Sequence, residues 1–362
     1  MSTRQRASED PAEAGGDGVR RILRARHLGY VASAAIVAWL LLVVLPEVGN
    51  LDDAGRLLLD HLDLLDVLIV GGLLAAYLVT HGLTITTAAP EVTLPAAIRV
   101  RAVTGGISRL VPAGWVAGTG VTATMLRRLG LRGEAITHAI AVTGVWNSVT
   151  KLLLPLVGVL AVAVGGASPL ARSWEVGALG VGGVGVVAGG LWVLTRPSVG
   201  RRTARWVERP VAAVARRLGR SAPTDLPEQA VALQASTAQA LRRRPVGMAL
   251  WYLAHHLSQA ALVYVGMRIA ARGAGMEVGA AEVLAAFAIG YLLTGLPISP
   301  GGLGTMDVAL VVVLTGLGEQ AAVASAGLAV YRVATYGFYV AVLVTWPLWR
   351  PGATPPPRHI SR

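Results

Sequence analysis

The side chains able to do chemistry are few, and the most telling sit where charge is expensive. Arg332 lies inside an apolar run, 321–346. A charged side chain at membrane depth is costly and usually pairs or faces a wet cavity. Its planar guanidinium also matches phosphate oxygens two at a time. Arg332 therefore reads as a phosphate-binding cation, or as a residue that snorkels to an interface or closes a structural ion pair. Asp307 follows a broken segment. It reads as a counter-ion that holds Arg332 until substrate displaces it, or as a cap of the helix that starts near Thr305. Lys151 lies inside the run 135–165, with Asn147 four residues earlier on the same helical face. It offers a second cationic contact for an anionic head group, or an interfacial anchor. The backbone from Pro300 through Gly301, Gly302 and Gly304 to Thr305 could bind an anion at a helix start. It could equally be a turn satisfied by neighbouring helices. His255, His256 and Gln259 share one apolar helix, where bonding between helices is favoured over metal binding. His81 and His138 stand alone and receive no role.

These residues need elements to hold them, and the stretch 296–307 sets the pattern. It reads Leu-Pro-Ile-Ser-Pro-Gly-Gly-Leu-Gly-Thr-Met-Asp, between apolar runs at 280–295 and 308–317. Pro297 and Pro300 lack a donor N–H, and Gly301, Gly302 and Gly304 permit positive φ, so no helix continues through it. Broken backbone at membrane depth survives only where protein buries it or water lines it. A second interrupted region, 102–131, carries Pro112, Gly114, Gly118 and Gly120 and is flanked by arginines on both sides. Each region reads as a re-entrant pair of half-helices. Further spans are expected at 28–48, 64–83, 135–165 (with a kink at Pro155), 176–195, 246–268 and 321–346, with an acid-bearing loop (Asp52, Asp53, Asp60, Asp63) after the first.

Composition agrees with a membrane protein. The chain has 362 residues, 54% hydrophobic and 14% charged, with mean hydropathy +0.59; average soluble domains carry about 25% charged residues. The formal charge of +12 resides in loops beside apolar runs, which suits anionic lipid surfaces and not nucleic acid. The most basic segment, 196–245, reads as a cytoplasmic connector with amphipathic helices and Trp206 as anchor, or as a solvated linker. Zero cysteines excludes disulfides, thiol catalysis and cysteine metal sites, and no catalytic motif, metal or cofactor is expected. Arg20, Arg21, Arg24 and Arg26 before the first run put the N-terminus in the cytoplasm, as do Arg350, Arg358 and Arg362 for the tail. Residues 1–27 and 349–362 read as disordered cytoplasmic ends of an integral membrane domain at 28–348. The expected setting is the plasma membrane.

The two broken regions can be superposed. Thr119 and Thr305 are 186 apart (305 − 119), and the same offset matches Gly118 with Gly304, Gly130 with Gly316 and Ala135 with Ala321. Three spans lie between equivalent positions, and an odd number inverts the second copy. The expected fold is therefore an all-α, polytopic transmembrane bundle of two inverted repeats, with cores at 102–165 and 280–346. Transporters of this kind bind near the midplane at broken helices.

The stretch 296–307, Tyr331–Arg332 in an apolar helix, and Gly144-Val145-Trp146-Asn147 with Lys151 together resemble the integral-membrane region of lysylphosphatidylglycerol synthases. The likeness covers about residues 28–348. Relatives usually have Glu where this chain has Asp307, and often Pro-Gly-Gly where it has Pro-Ala-Gly-Trp. The resemblance implies movement of lipid or lipid-linked molecules between leaflets, with Tyr331 beside Arg332 in the binding region. It does not imply lipid aminoacylation, which belongs to a separate cytosolic domain. The partners expected are an anionic phospholipid or polyprenyl-phosphate-linked substrate, with a second copy of the chain also admitted. Two other readings remain: a glycosyltransferase using a lipid-phosphate donor, for which Asp52 and Asp53 are the only feature, and a secondary transporter of a small anion.

Overall fold

The computed structural model describes residues 51–110, 114–165, 185, 245–294 and 303–345. The run 28–48, the connector up to residue 244, both termini and the Gly-rich run apart from Gly185 lie outside the described residues, as do 111–113 and 295–302. What is described is an all-α bundle. Its helices are α1 (Leu51–His61), α2 (Leu64–Ala88), α3 (Leu94–Leu110), α4 (Gly114–Arg128), α5 (Gly133–Gly165), α6 (Pro245–Ala274), α7 (Ala280–Leu293) and α8 (Thr305–Gly316). The last, α9 (Ala321–Thr345), contains a π-helical turn at Val333–Gly337.

Helix length divides these elements. α2, α5 and α9 are long and apolar enough to cross a membrane. The pairs α3/α4 and α7/α8 have 17, 15, 14 and 12 residues. At about 1.5 Å per residue each falls short of a hydrocarbon core about 30 Å thick. Both pairs fold back as hairpins. A Cβ on Gly114 would meet the Ser108 carbonyl oxygen at 2.7 Å, and one on Gly118 the Thr104 oxygen at 3.1 Å. The partner's number falls as the glycine's number rises, so the two helices run antiparallel. Gly290 lies as close to the Met306 oxygen, 3.1 Å from its would-be Cβ, across the second break.

The element order repeats: short helix, break, short helix, glycine cap, long helix. The register differs from the expected offset of 186. Gly130 (φ 90°) and Gly318 (φ 99°) close α4 and α8 with the same pair of bonds: Leu131 N–H to Leu126 and Gly130 N–H to Arg127, Glu319 N–H to Leu314 and Gly318 N–H to Thr315. Such left-handed caps favour glycine. These glycines are 188 apart (318 − 130), as are the starts of α5 and α9 (321 − 133). Matching Gly130 to Gly316 therefore joined a cap to the last helical residue.

Polarity is arranged from the inside out. Leu64, Leu68, Val164, Val333 and Val344 are exposed, while Asp66, His255, His256, Gln259 and Asp307 are buried. In a soluble protein so many exposed apolar side chains would demand a partner; in a bilayer they face lipid. Helix α6 is the central pillar, packed by α1, α2, α5, α7 and α9. Against α9, Gly266 and Gly327 face one another. A Cβ on Gly266 would lie 2.9 Å from the Gly327 Cα. Small residues at such a crossing let backbones approach.

Two expectations change here. The acidic segment after the first run is not a loop but α1, whose Ala54, Leu57 and Leu58 lie on the core. Their spacing of three and four residues forms one apolar stripe, which the aspartates masked. Arg99 and Arg101 do not flank a span. Pro95, well suited to a first helical turn, lets α3 start at Leu94, so both arginines lie within the helix.

The last turn of α6 carries Arg272, which has a partner on α2. Arg272 donates to Asp66 (2.6 Å) and to Asp63 (3.4 Å), and the two aspartates form the capping box of α2. Asp66 is buried and Arg272 is 42% exposed, so solvent screens much of the attraction. Arg272→Ala is expected to cost on the order of 1 kcal/mol, read as a small fall in the midpoint of thermal unfolding in detergent. Exchanging the charges (Arg272→Asp with Asp66→Arg) should recover part of it; an unchanged midpoint for Arg272→Ala would contradict the pairing. On the same loops, Glu319 accepts the Gly279 N–H at 3.4 Å. Partial burial raises its carboxyl pKa, with that N–H opposing.

Candidate functional site

The break before α8 places the first group. Gly304 (φ 80°) is the residue before the helix, and its N–H donates to Asp307 Oδ2 at 2.8 Å. A left-handed backbone there suits glycine. Asp307 is thereby oriented with its other oxygen turned to α9. Arg332 Nε donates to Asp307 Oδ1 at 2.7 Å, and Arg332 Nη2 binds the same oxygen. Asp307 is 1% exposed and Arg332 14%. The carboxylate thus bonds both to the N–H that opens α8 and to Arg332. The guanidinium also lies over the rings of Tyr336 (4.9 Å) and Tyr331 (5.2 Å), where the ring quadrupoles favour a cation. The π turn begins directly after Arg332, and Thr335 Oγ1 bonds back to the Tyr331 carbonyl at 2.7 Å. Single π turns recur at functional sites.

A chain of contacts leads from there to Lys151. Tyr331 OH donates to Gln259 Oε1 at 3.1 Å, and Gln259 Nε2 is 3.3 Å from His256 Nδ1. The ring of His256 packs at 4.6 Å on Tyr291, and Lys151 Nζ lies 4.9 Å from the centre of that Tyr291 ring. Lys151 Nζ donates to Thr294 Oγ1 at 3.0 Å. Thr294 is the last described residue before the break, so Lys151 reaches across from α5 to the hairpin tip. The inter-helix bonds of His255 and Gln259 are present: Gln259 joins α6 to α9, and His255 Nδ1 meets the Tyr77 carbonyl of α2 at 3.1 Å.

Of the residues singled out from sequence, Asp307, Arg332, Tyr331 and Gly304 come together, and Thr305 opens α8 beside them. Lys151 stands at the other end of the Tyr331–Tyr291 chain. Asn147 is half-buried, and among the described residues no hydrogen bond joins it to this group. Pro300, Gly301 and Gly302 lie outside the described residues. His81 is not isolated: its ring centre lies 4.3 Å from that of His255 and 6.3 Å from that of Tyr77, tilted against both.

Two arginines went unnoticed as interior groups. Arg109, on the last turn of α3, donates to Tyr339 OH at 3.3 Å and lies 5.0 Å from that ring's centre. The Tyr339 and Tyr77 hydroxyls bond one another. Arg101 donates to Thr84 Oγ1 at 2.9 Å and Tyr252 OH at 3.3 Å. The available signal was Arg109 three residues before Pro112, a charge beside a break as Asp307 is, together with tyrosines recurring inside apolar helices. Arg101, Arg109 and Lys151 thus bind neutral acceptors, and among the described residues no carboxylate pairs with them.

A family model described as the lysylphosphatidylglycerol synthase TM region matches residues 14–342. The chain belongs to that family. The match runs through every element just described and ends within α9, beyond Tyr339. As a member of the lysylphosphatidylglycerol synthase TM region family with apolar helices of membrane-crossing length, the chain is a membrane protein. A comparison with individual curated proteins gives no match.

Proposed function

We propose that this protein moves an anionic lipid, either a phospholipid or a polyprenyl-phosphate-linked molecule, between the leaflets of the plasma membrane. The supporting observation is the interior charge balance. Arg101, Arg109, Lys151 and Arg332 project among buried tyrosines and histidines, and Asp307 is the one carboxylate bonded to any of them among the described residues. Burying unmatched cations is expensive, and an anionic head group would offset that cost. In this reading Lys151 and Arg332 take head-group oxygens, Arg332 exchanging Asp307 for phosphate, and Tyr331 holds Arg332 in place. The backbone N–H groups of Gly301, Gly302 and Thr305 supply donors ahead of α8, Pro300 and Gly304 shape the turn that presents them, with the Gly304 N–H kept on Asp307, and Asn147 borders Lys151. Both termini are cytoplasmic, the two hairpins enter from opposite faces, and the acyl or prenyl chains stay in lipid.

The test is transbilayer movement in proteoliposomes holding head-group- or tail-labelled lipid, with a membrane-impermeant quencher added outside. The expected result is quenching that continues past the outer-leaflet share seen in protein-free vesicles. The same plateau as protein-free vesicles, for phospholipid and polyprenyl phosphate alike, would sink the proposal.

A further inference from the structure

The cations divide the interior in a way that bears on how much negative charge a ligand should bring. Arg332 and Arg109 share one face of α9: Arg332 rests over Tyr336, and Arg109 over Tyr339 three residues later. A run of ring contacts joins Arg109 to Lys151: the Tyr339 and Tyr77 hydroxyls bond, Tyr77 stacks 4.5 Å from His255, His255 lies 5.2 Å from His256, and His256 packs on the Tyr291 ring that Lys151 faces. Arg109 precedes the first break and Lys151 is bonded to the threonine that precedes the second. Arg109, Lys151 and Arg332 therefore bring three formal positive charges to the surroundings of the two breaks, where Asp307 is the single carboxylate bonded to any of them among the described residues, a formal excess of two there. Neither 111–113 (Val-Pro-Ala) nor 295–302 (Gly-Leu-Pro-Ile-Ser-Pro-Gly-Gly), the segments that join each pair of short helices, contains an acidic residue. Glu282 is at the far end of α7, 12 residues from Thr294 (294 − 282), or about 18 Å along the helix.

A second observation points to a ligand at the same place. An amide nitrogen donates, so Gln259 Nε2 makes His256 Nδ1 an acceptor and leaves the imidazole proton on Nε2. His256 is 0% exposed, and among the described residues its Nε2 has no partner. A buried N–H without an acceptor carries a desolvation penalty. It lies on the ring that packs against Tyr291, beneath Lys151. Here, too, an acceptor is missing.

We infer that the head group this interior takes carries two or more negative charges, a lipid diphosphate or lipid monoester phosphate in preference to a phosphodiester. Arg109 and His256 Nε2–H then join Lys151 and Arg332 as its contacts. A phosphodiester brings one charge, whereas a phosphate monoester brings about −1.5 to −2 near neutral pH. Only the more highly charged groups match an excess of two. This inference rests on the leaflet-transfer reading and narrows it.

The experiment compares farnesyl diphosphate, farnesyl monophosphate and short-chain phosphatidylglycerol, binding each to the purified full chain in detergent by calorimetry. The lipids are then tested in the proteoliposome assay. Affinity is expected to rise with head-group charge, with farnesyl diphosphate about tenfold or more tighter than phosphatidylglycerol. Arg109→Gln should reduce that preference to about twofold or less, and Arg109→Lys should restore most of it. If Arg109→Gln does not elute as a folded species, the salt dependence of the native chain replaces it: the diphosphate's affinity should fall more steeply with salt than phosphatidylglycerol's. Phosphatidylglycerol binding as tightly as the diphosphate, while still crossing the bilayer, overturns this inference alone. No binding and no movement of any of the three overturns both readings.

Discussion

Asp307→Ala is expected to destabilise the protein by about 3–5 kcal/mol, the cost of breaking a buried ion pair from one side. The substitution removes two things. The Gly304 N–H loses its acceptor at the start of α8, and Arg332 loses its carboxylate at 14% exposure. The second loss dominates, because a lost cap alone costs about 1 kcal/mol. Asp307→Asn should fall between, since one amide oxygen can accept from Arg332 but the amide nitrogen cannot accept from Gly304. Asp307→Glu should be the mildest. The double variant Asp307→Ala/Arg332→Ala gives the sharper check, because removing both charges leaves neither uncompensated. It should be more stable than Asp307→Ala alone, a non-additivity expected for groups in direct contact. Thermal unfolding of the detergent-purified protein measures the series, and Asp307→Ala melting with the native chain would refute the counter-ion role.

Gly327→Val should also be strongly damaging, for a steric reason. A Cβ at residue 327 would lie 2.6 Å from the Val263 carbonyl oxygen and against Met267 Cγ. Backbone cannot give way as the end of a side chain can, so α6 and α9 must separate. Separation would also pull Tyr331, four residues on, away from Gln259, whose bond spans the same interface at 3.1 Å. Overpacking of this kind costs about 1–3 kcal/mol or more, and here it falls on the central crossing of the bundle. Gly337→Ala, on the same helix with nothing within 4 Å of the added carbon, is the control and should express and elute normally. Expression and monodispersity by fluorescence-detected size exclusion read both; a well-behaved Gly327→Val would contradict the close approach.

How much of this was legible in the sequence depends on what each residue's neighbours revealed. Arg332 was readable because an arginine in an apolar run has few places to go, and Asp307 followed because it closes the nearest break. Arg101 was not, because it read as a flank of the interrupted run 102–131, and Arg109, inside that run, received no role. Only the start of α3 at Leu94 puts Arg101 inside, and only the folded contact with Tyr339 shows where Arg109 goes. The short paired helices were legible from Pro112 and the glycines, since those residues end helices by steric rule. The register of the repeat was not, because a chain rich in glycine offers Gly316 and Gly318 alike, and only backbone φ distinguishes a cap from a helical residue. Acidic content made α1 look like a loop, although its apolar stripe was present. The meeting of Lys151 with Thr294, 143 residues later in the chain, leaves no trace in local pattern at all.

The central claim is that the interior cations receive an anionic lipid head group. It is tested most directly by an experimental structure in lipid nanodiscs containing anionic lipid. The account predicts head-group density against Lys151 and Arg332, with phosphate oxygens within hydrogen-bonding distance of Nζ and the guanidinium and Asp307 drawn off Arg332. An Arg332–Asp307 pair left intact, with no density near Lys151 and every lipid confined to the outer apolar surface, would contradict it.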